Sequence, residues 1–158
     1  MKARHWVVIW FALGAVYLVM EGVWRMGWTH IAMLPVGGLC GLCVGAMNQS
    51  PRFYRRPMWV QCLAGAAAIL VIELAAGLVI NRWLGLGVWD YSHHPGNVLG
   101  QICLQYGVLW FLLVPFAIWA EDTARFALWA MDFAGTVPEP EYGRYRLWTL
   151  YRDLFMGR

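Results

Sequence analysis

Read for its apolar and polar positions, the chain falls into four long apolar runs, residues 6 to 24, 28 to 47, 58 to 80 and 100 to 120. Each is near the roughly 20 residues that carry a helix across a hydrocarbon core. The pattern predicts four membrane-spanning helices. The segment Met1 to Met20 has the basic start and apolar middle of a signal peptide, but no small-residue cleavage site follows and Glu21 and Arg25 come next. It reads as a retained first helix.

Within the runs, small residues and one proline set the finer expectations. Gly37, Gly41 and Gly45 recur every fourth position of the second run and leave one face bare, and Ala64, Gly65, Ala68, Ala75 and Ala76 give the third run a small face to match. Close packing inside one bundle stands ahead of a homodimer seam. Pro35 predicts a kink or partly unwound turn over residues 33 to 38, and with it a hint of a cavity.

After the fourth run the pattern changes. Glu121, Asp122 and Arg125 mark an exit from the membrane, and Pro138 to Pro140 mark a turn. The division is therefore a transmembrane domain over residues 1–120 and a cytoplasmic or interfacial segment over 121–158. In that segment YGRYRLWTLYRDLF places Leu147, Trp148, Tyr151, Leu154 and Phe155 on one helical face, with Arg146 and Arg152 elsewhere. This predicts an amphipathic helix lying in the interface. The fold class is all-α, an integral membrane four-helix bundle.

An internal repeat of two helix pairs is also in view. Each pair begins at a basic cluster, and the first helix of each carries an acid about fifteen residues in, roughly 22 Å along at the helical rise. Glu21 and Glu73 are the two acids, expected at one depth.

Composition agrees with this reading: 61 % of residues are hydrophobic and 13 % charged, against roughly 45–50 % and about 25 % in a soluble domain. Charge adds an orientation. Lys2, Arg4, Arg52, Arg55, Arg56, Arg125, Arg144, Arg146, Arg152 and Arg158 gather at one end, and Arg25 and Arg82 at the other. By the positive-inside rule both termini face the cytoplasm, across the inner membrane of a bacterial cell. The net charge of +3 points to anionic lipid headgroups as partners, not to nucleic acid.

Candidate chemistry concentrates at the opposite end. Glu73 stands in AAAILVIELAAGLVI with no ionisable neighbour within several turns, and Glu21 has Arg25 one turn on. A charge at membrane depth costs about 2.5–3.5 kcal/mol at the helix centre, so both acids should face the bundle and find partners. The stretch GVWDYSHHPGN, residues 87–97, sets a polar knot between two apolar runs. Asn81, Arg82, Trp89, Asp90, Tyr91, Ser92 and Asn97 are expected to fold over the bundle mouth, closing a vestibule with Glu21, Arg25 and Glu73.

Other chemistries are weaker. Cys40 and Cys43 have C-x-x-C spacing, but a quinone-linked thiol oxidant needs a second cysteine pair in an outer loop, and residues 81–99 hold none. Cys40, Cys43, Cys62 and Cys103 read as small hydrophobes. Consecutive histidines such as His93 and His94 rarely ligate one metal. No metal and no cofactor is expected.

The run WDYS at Trp89 to Ser92, then Asn97, Gly100 and Ile102-Cys103-Leu104, with Trp110 beyond, resembles the signature of the CmpB-like family of ABC-transporter permeases. Acids at the positions of Glu73 and Glu21 also recur there. The resemblance implies a small membrane permease component, and the absence of a G-x-x-x-x-G-K-[ST] loop assigns any ATP hydrolysis to a separate ATPase subunit. Four helices make a thin pathway, so a homo-oligomer or a partner membrane subunit is expected. The leading function is recognition and passage of a small polar or amphiphilic substrate. Two others stand behind it: an enzyme acting on a lipid or isoprenoid headgroup with Glu73 or Asp90 as acid/base, and a non-catalytic lipid-binding scaffold. Whether any catalysis occurs is left open by the residues, with the non-enzymatic reading ahead.

Overall fold

A computed structural model describes residues 3–133 and 146–157. Among these the fold is helical, with one isolated antiparallel bridge between Val98 and Ile102. The elements are α1 (Ala3–Arg25), α2 (Met33–Asn48), the short α3 (Pro51–Tyr54), α4 (Met58–Gly77), α5 (Leu104–Phe133) and α6 (Leu147–Met156). A π-helical turn, Leu78–Trp83, continues α4. Three helices are long and apolar enough to cross a membrane: α1, α4 with its π turn, and α5. The fourth, α2, has 16 residues, about 24 Å at 1.5 Å per residue.

The short helix is central. It packs against α1, α4 and α5, and its glycines let it do so: a Cβ at Gly37 would fall inside the Tyr17 ring, one at Gly38 on Trp10, and one at Gly41 on Leu13. The bare stripe of α2 thus receives large side chains of α1 at Gly37 and Gly41 and the Glu121 side chain of α5 at Gly45, not the small face of α4. Gly65 of α4 takes Val114 of α5 in the same way. A groove without side chains is filled best by a bulky one, which gains dispersion contacts that apolar solvent cannot exceed by burial alone.

Three boundaries differ from the sequence expectation. The second helix begins at Met33, because residues before it form turns, with Met26 at φ 53° and the Ala32 amide donating to His30 Nδ1 at 3.1 Å. The expected kink at Pro35 does not form. Pro35 sits in the first turn of α2, where an amide has no helical partner to lose. The fourth helix begins at Leu104 and runs on to Phe133, so Glu121, Asp122 and Arg125 lie inside it and are buried. They do not end the helix. The turn at residues 138–140, Lys2, Arg144 and Arg158 lie outside the described residues.

The last helix, α6, seats Leu150 and Leu154 against Met58, Cys62 and Ile118. Trp148 and Phe155, expected on its apolar face, point away from the bundle and are exposed. Pro115 inside α5 removes the donor owed to the Phe111 carbonyl and loosens that turn. The neighbouring Leu112 carbonyl accepts a hydrogen bond from the Tyr151 hydroxyl at 2.9 Å, which ties α6 to the proline turn.

Candidate functional site

At the end of the bundle that carries Arg25 and Arg82, side chains of α1 and α5 line a cavity of about 870 Å³. One wall comes from Tyr17, Met20, Glu21 and Trp24 of α1 and the facing wall from Tyr106, Leu109, Trp110 and Leu113 of α5. Both sets repeat at i, i+3, i+4, i+7, so each is one helical stripe. Glu73 of α4 also lines the space, and Trp89, Asp90, Tyr91 and His94 of the connecting loop complete it. Val19 and Val23, also lining it, are 67 % and 70 % exposed, which leaves an apolar edge open at the side.

Glu73 is buried and held by two aromatic donors. The Trp110 indole Nε1 donates to Oε2 at 2.9 Å and the Tyr17 hydroxyl to Oε1 at 3.2 Å, while the Tyr17 and Trp110 rings stack with centroids 5.6 Å apart. Because Gly37 admits the Tyr17 ring against α2, a glycine of the packing seam positions a donor to the acid. Glu21 is served differently. Arg25 pairs with its Oε1 at 2.9 Å, and the Thr29 hydroxyl donates to its Oε2 at 2.6 Å.

The loop is built by its polar residues. Asp90 Oδ1 accepts both the Ser92 amide at 2.8 Å and the Ser92 hydroxyl at 2.5 Å, a side-chain turn of the Asx kind. Those two bonds hold the Asp90 carboxyl below the usual aspartate range. Gly100, at φ +70°, lies against Ser92 and Asp90 where a Cβ would collide, and its carbonyl accepts the Tyr91 amide at 2.7 Å. Trp89 is buried and donates through Nε1 to the Gln101 carbonyl at 3.0 Å. Tyr91 stacks on Tyr106 with centroids 4.5 Å apart. Burial first, and the Glu73 carboxylate next, push its phenol well above the usual tyrosine value.

Of the residues expected at the vestibule, Glu21, Arg25, Glu73, Trp89, Asp90 and Tyr91 line the cavity. The other four brace its roof. Asn81 donates to Gln101 Oε1 at 2.7 Å and accepts the Val88 amide at 2.7 Å, and Arg82 reaches the Leu99 carbonyl at 3.2 Å. Ser92 holds Asp90, and Asn97 donates to the carbonyls of Ser92 and His94 at 3.1 and 2.9 Å. Sequence reasoning missed Tyr17, Trp24 and Tyr106 as wall residues, although the shared stripe spacing on both helices was there to find. It also missed Gln101, for which no local pattern speaks.

A second polar cluster lies at the far end. Arg125 pairs with Glu121 one turn before it and sits over the Trp6 ring at 4.8 Å. Asn48 donates to Asp122 at 3.1 Å, and Gly45 makes room for the Glu121 side chain. Asp132 takes Arg4 and, at 2.8 Å, the His5 Nε2. These contacts bind α1, α2 and α5 at the end where the cavity is not.

No curated protein and no solved structure matches the chain. The family comparison does, and over the segment that contains both the helical bundle and the cavity. That family model covers residues 7–134, and the chain belongs to the family described as "Putative ABC-transporter type IV".

Proposed function

We propose that the protein is the membrane-embedded component of a small transporter, in which the cavity between α1 and α5 receives a small polar or amphiphilic substrate. The observation that carries the reading is the convergence of Glu21, Arg25, Glu73, Asp90 and an aromatic wall on one space of about 870 Å³, within the range of small-molecule sites. The side edge at Val19 and Val23 admits an apolar portion from the lipid, and the loop from Trp89 to Tyr91 strips water from the polar portion. Glu73 then trades its aromatic donors for substrate, and Arg25 keeps Glu21 neutralised meanwhile. The cavity faces outward and the basic end, with both termini, faces the cytoplasm of a bacterial inner membrane. A second copy or partner membrane subunit completes the pathway, lipids surround it, and a separate ATPase subunit supplies any ATP hydrolysis.

The test is native mass spectrometry with lipid and metabolite analysis of the purified wild type beside Glu73→Gln and Asp90→Asn. A small molecule that accompanies the wild type and is depleted in both variants is the expected result. Wild type and variants that carry the same molecules, or none, would remove the cavity from transport.

A further inference from the structure

The charged side chains that line the cavity are Glu21, Arg25, Glu73 and Asp90, with His94 beside them. Glu21 and Arg25 cancel across 2.9 Å, and Asp90 and Glu73 remain. Asp90 spends one oxygen on Ser92. Glu73 is buried, receives bonds from Trp110 and Tyr17, and has no ion pair among the described residues. A buried carboxylate that the fold leaves without a cation is a place where a ligand can supply one.

The walls narrow the kind of cation. Tyr17 and Trp110 stack beside Glu73, Tyr91 and Tyr106 stack under the loop, and Trp24 stands near with its indole 3.4 Å from the Tyr106 hydroxyl. Hard inorganic cations seek several oxygen ligands, and aromatic faces offer none. Ammonium groups bearing carbon substituents are weakly hydrated and are drawn to the faces of Trp and Tyr. The open apolar edge at Val19 and Val23 suits a hydrocarbon part on the same molecule.

We infer that the substrate is an organic cation, a substituted ammonium with an apolar body, whose charged head lies between the aromatic pairs with Glu73 as counter-charge. The inference rests on the cavity being the substrate site. It assigns Trp24, Tyr106 and Trp110 to substrate recognition alongside the acid.

The experiment compares two probes of one shape, benzyltrimethylammonium and its neutral carbon isostere neopentylbenzene, binding to the full chain in a neutral maltoside micelle. The wild type is expected to prefer the cation by roughly tenfold, a margin that Glu73→Gln removes while binding of the isostere is retained. Trp24→Leu, which takes an aromatic face from the wall without touching Glu73, should also weaken the cation more than the isostere. That second variant decides the matter should Glu73→Gln fail to fold. Equal binding of both probes, unchanged in these variants but abolished by the cavity-filling Leu109→Trp, would overturn the cation and leave the cavity a substrate site for neutral compounds. Absence of binding by either probe would overturn both readings.

Discussion

Asp90 shows how one exposed carboxylate sets the shape of a site. It touches the cavity, but its bonds go to Ser92, and the turn they close brings Tyr91 to the Gly100 carbonyl and Trp89 to Gln101. Those bonds favour the ionised form and lower its pKa. A carboxyl whose folded value is depressed lends stability that is full above its unfolded value, near 3.8, and is lost as pH falls through the folded one. The indole N–H resonance of Trp89 should therefore persist from neutral pH down through the ordinary aspartate range and broaden only beneath it. In Asp90→Ala it should be broad already at neutral pH. Broadening of the wild-type signal well above the aspartate range would place the loop's anchor elsewhere. That this stretch is structured was legible from the sequence, since WDYS and the following Asn and Gly are turn formers. The partners were not, because Gln101 and Gly100 meet Asn81, Asp90 and Trp89 only once the loop has folded back.

Among the elements, apolar runs predicted the helices well and their ends poorly, and the misses share a cause. Hydropathy measures the cost of leaving water, while a helix end depends on where the backbone amides and charged groups find partners. Pro35 read as an interior kink because the run appeared to begin before it, and the fourth helix read as ending near Glu121 because Arg125, Asn48 and Gly45 cannot be seen beside that acid in a linear pattern. The last helix carries the same lesson. Its apolar face was legible, but the side chains that dock are Leu150 and Leu154, with Tyr151 reaching the carbonyl beside Pro115. Leu150→Ala should cost about 2–5 kcal/mol of docking, by loss of transfer energy and creation of a void. Hydrogen exchange should then rise throughout Leu147–Met156 and leave α1 and α4 protected. Tyr151→Phe, which removes one bond, should cost only about 0.5–1.5 kcal/mol. A Leu150→Ala protein whose last helix exchanges no faster than the wild type would show that α6 is not held by this face.

Across the whole molecule, buried charge appears at both ends and is handled in opposite ways. At one end Glu73 lies against neutral donors beside a large cavity. At the other, Glu121 and Asp122 lie against Arg125 and Asn48 in tight packing with α2 and α1. The second arrangement has the form of a lock. Removing one partner of a buried ion pair strands the other, at a cost of about 3–5 kcal/mol, whereas replacing both with groups of similar volume is close to neutral. Arg125→Met should therefore lower the unfolding midpoint in micelles sharply, and adding Glu121→Gln should recover much of the loss. Glu73→Gln is nearly isosteric and retains an oxygen to accept one aromatic donor, so its midpoint should stay close to the wild type while ligand binding changes. Thermal unfolding of the four proteins, with probe binding measured on those that fold, checks the contrast directly. If Glu73→Gln unfolds as readily as Arg125→Met, the acid beside the cavity is a lock as well, and the bundle has two structural ends.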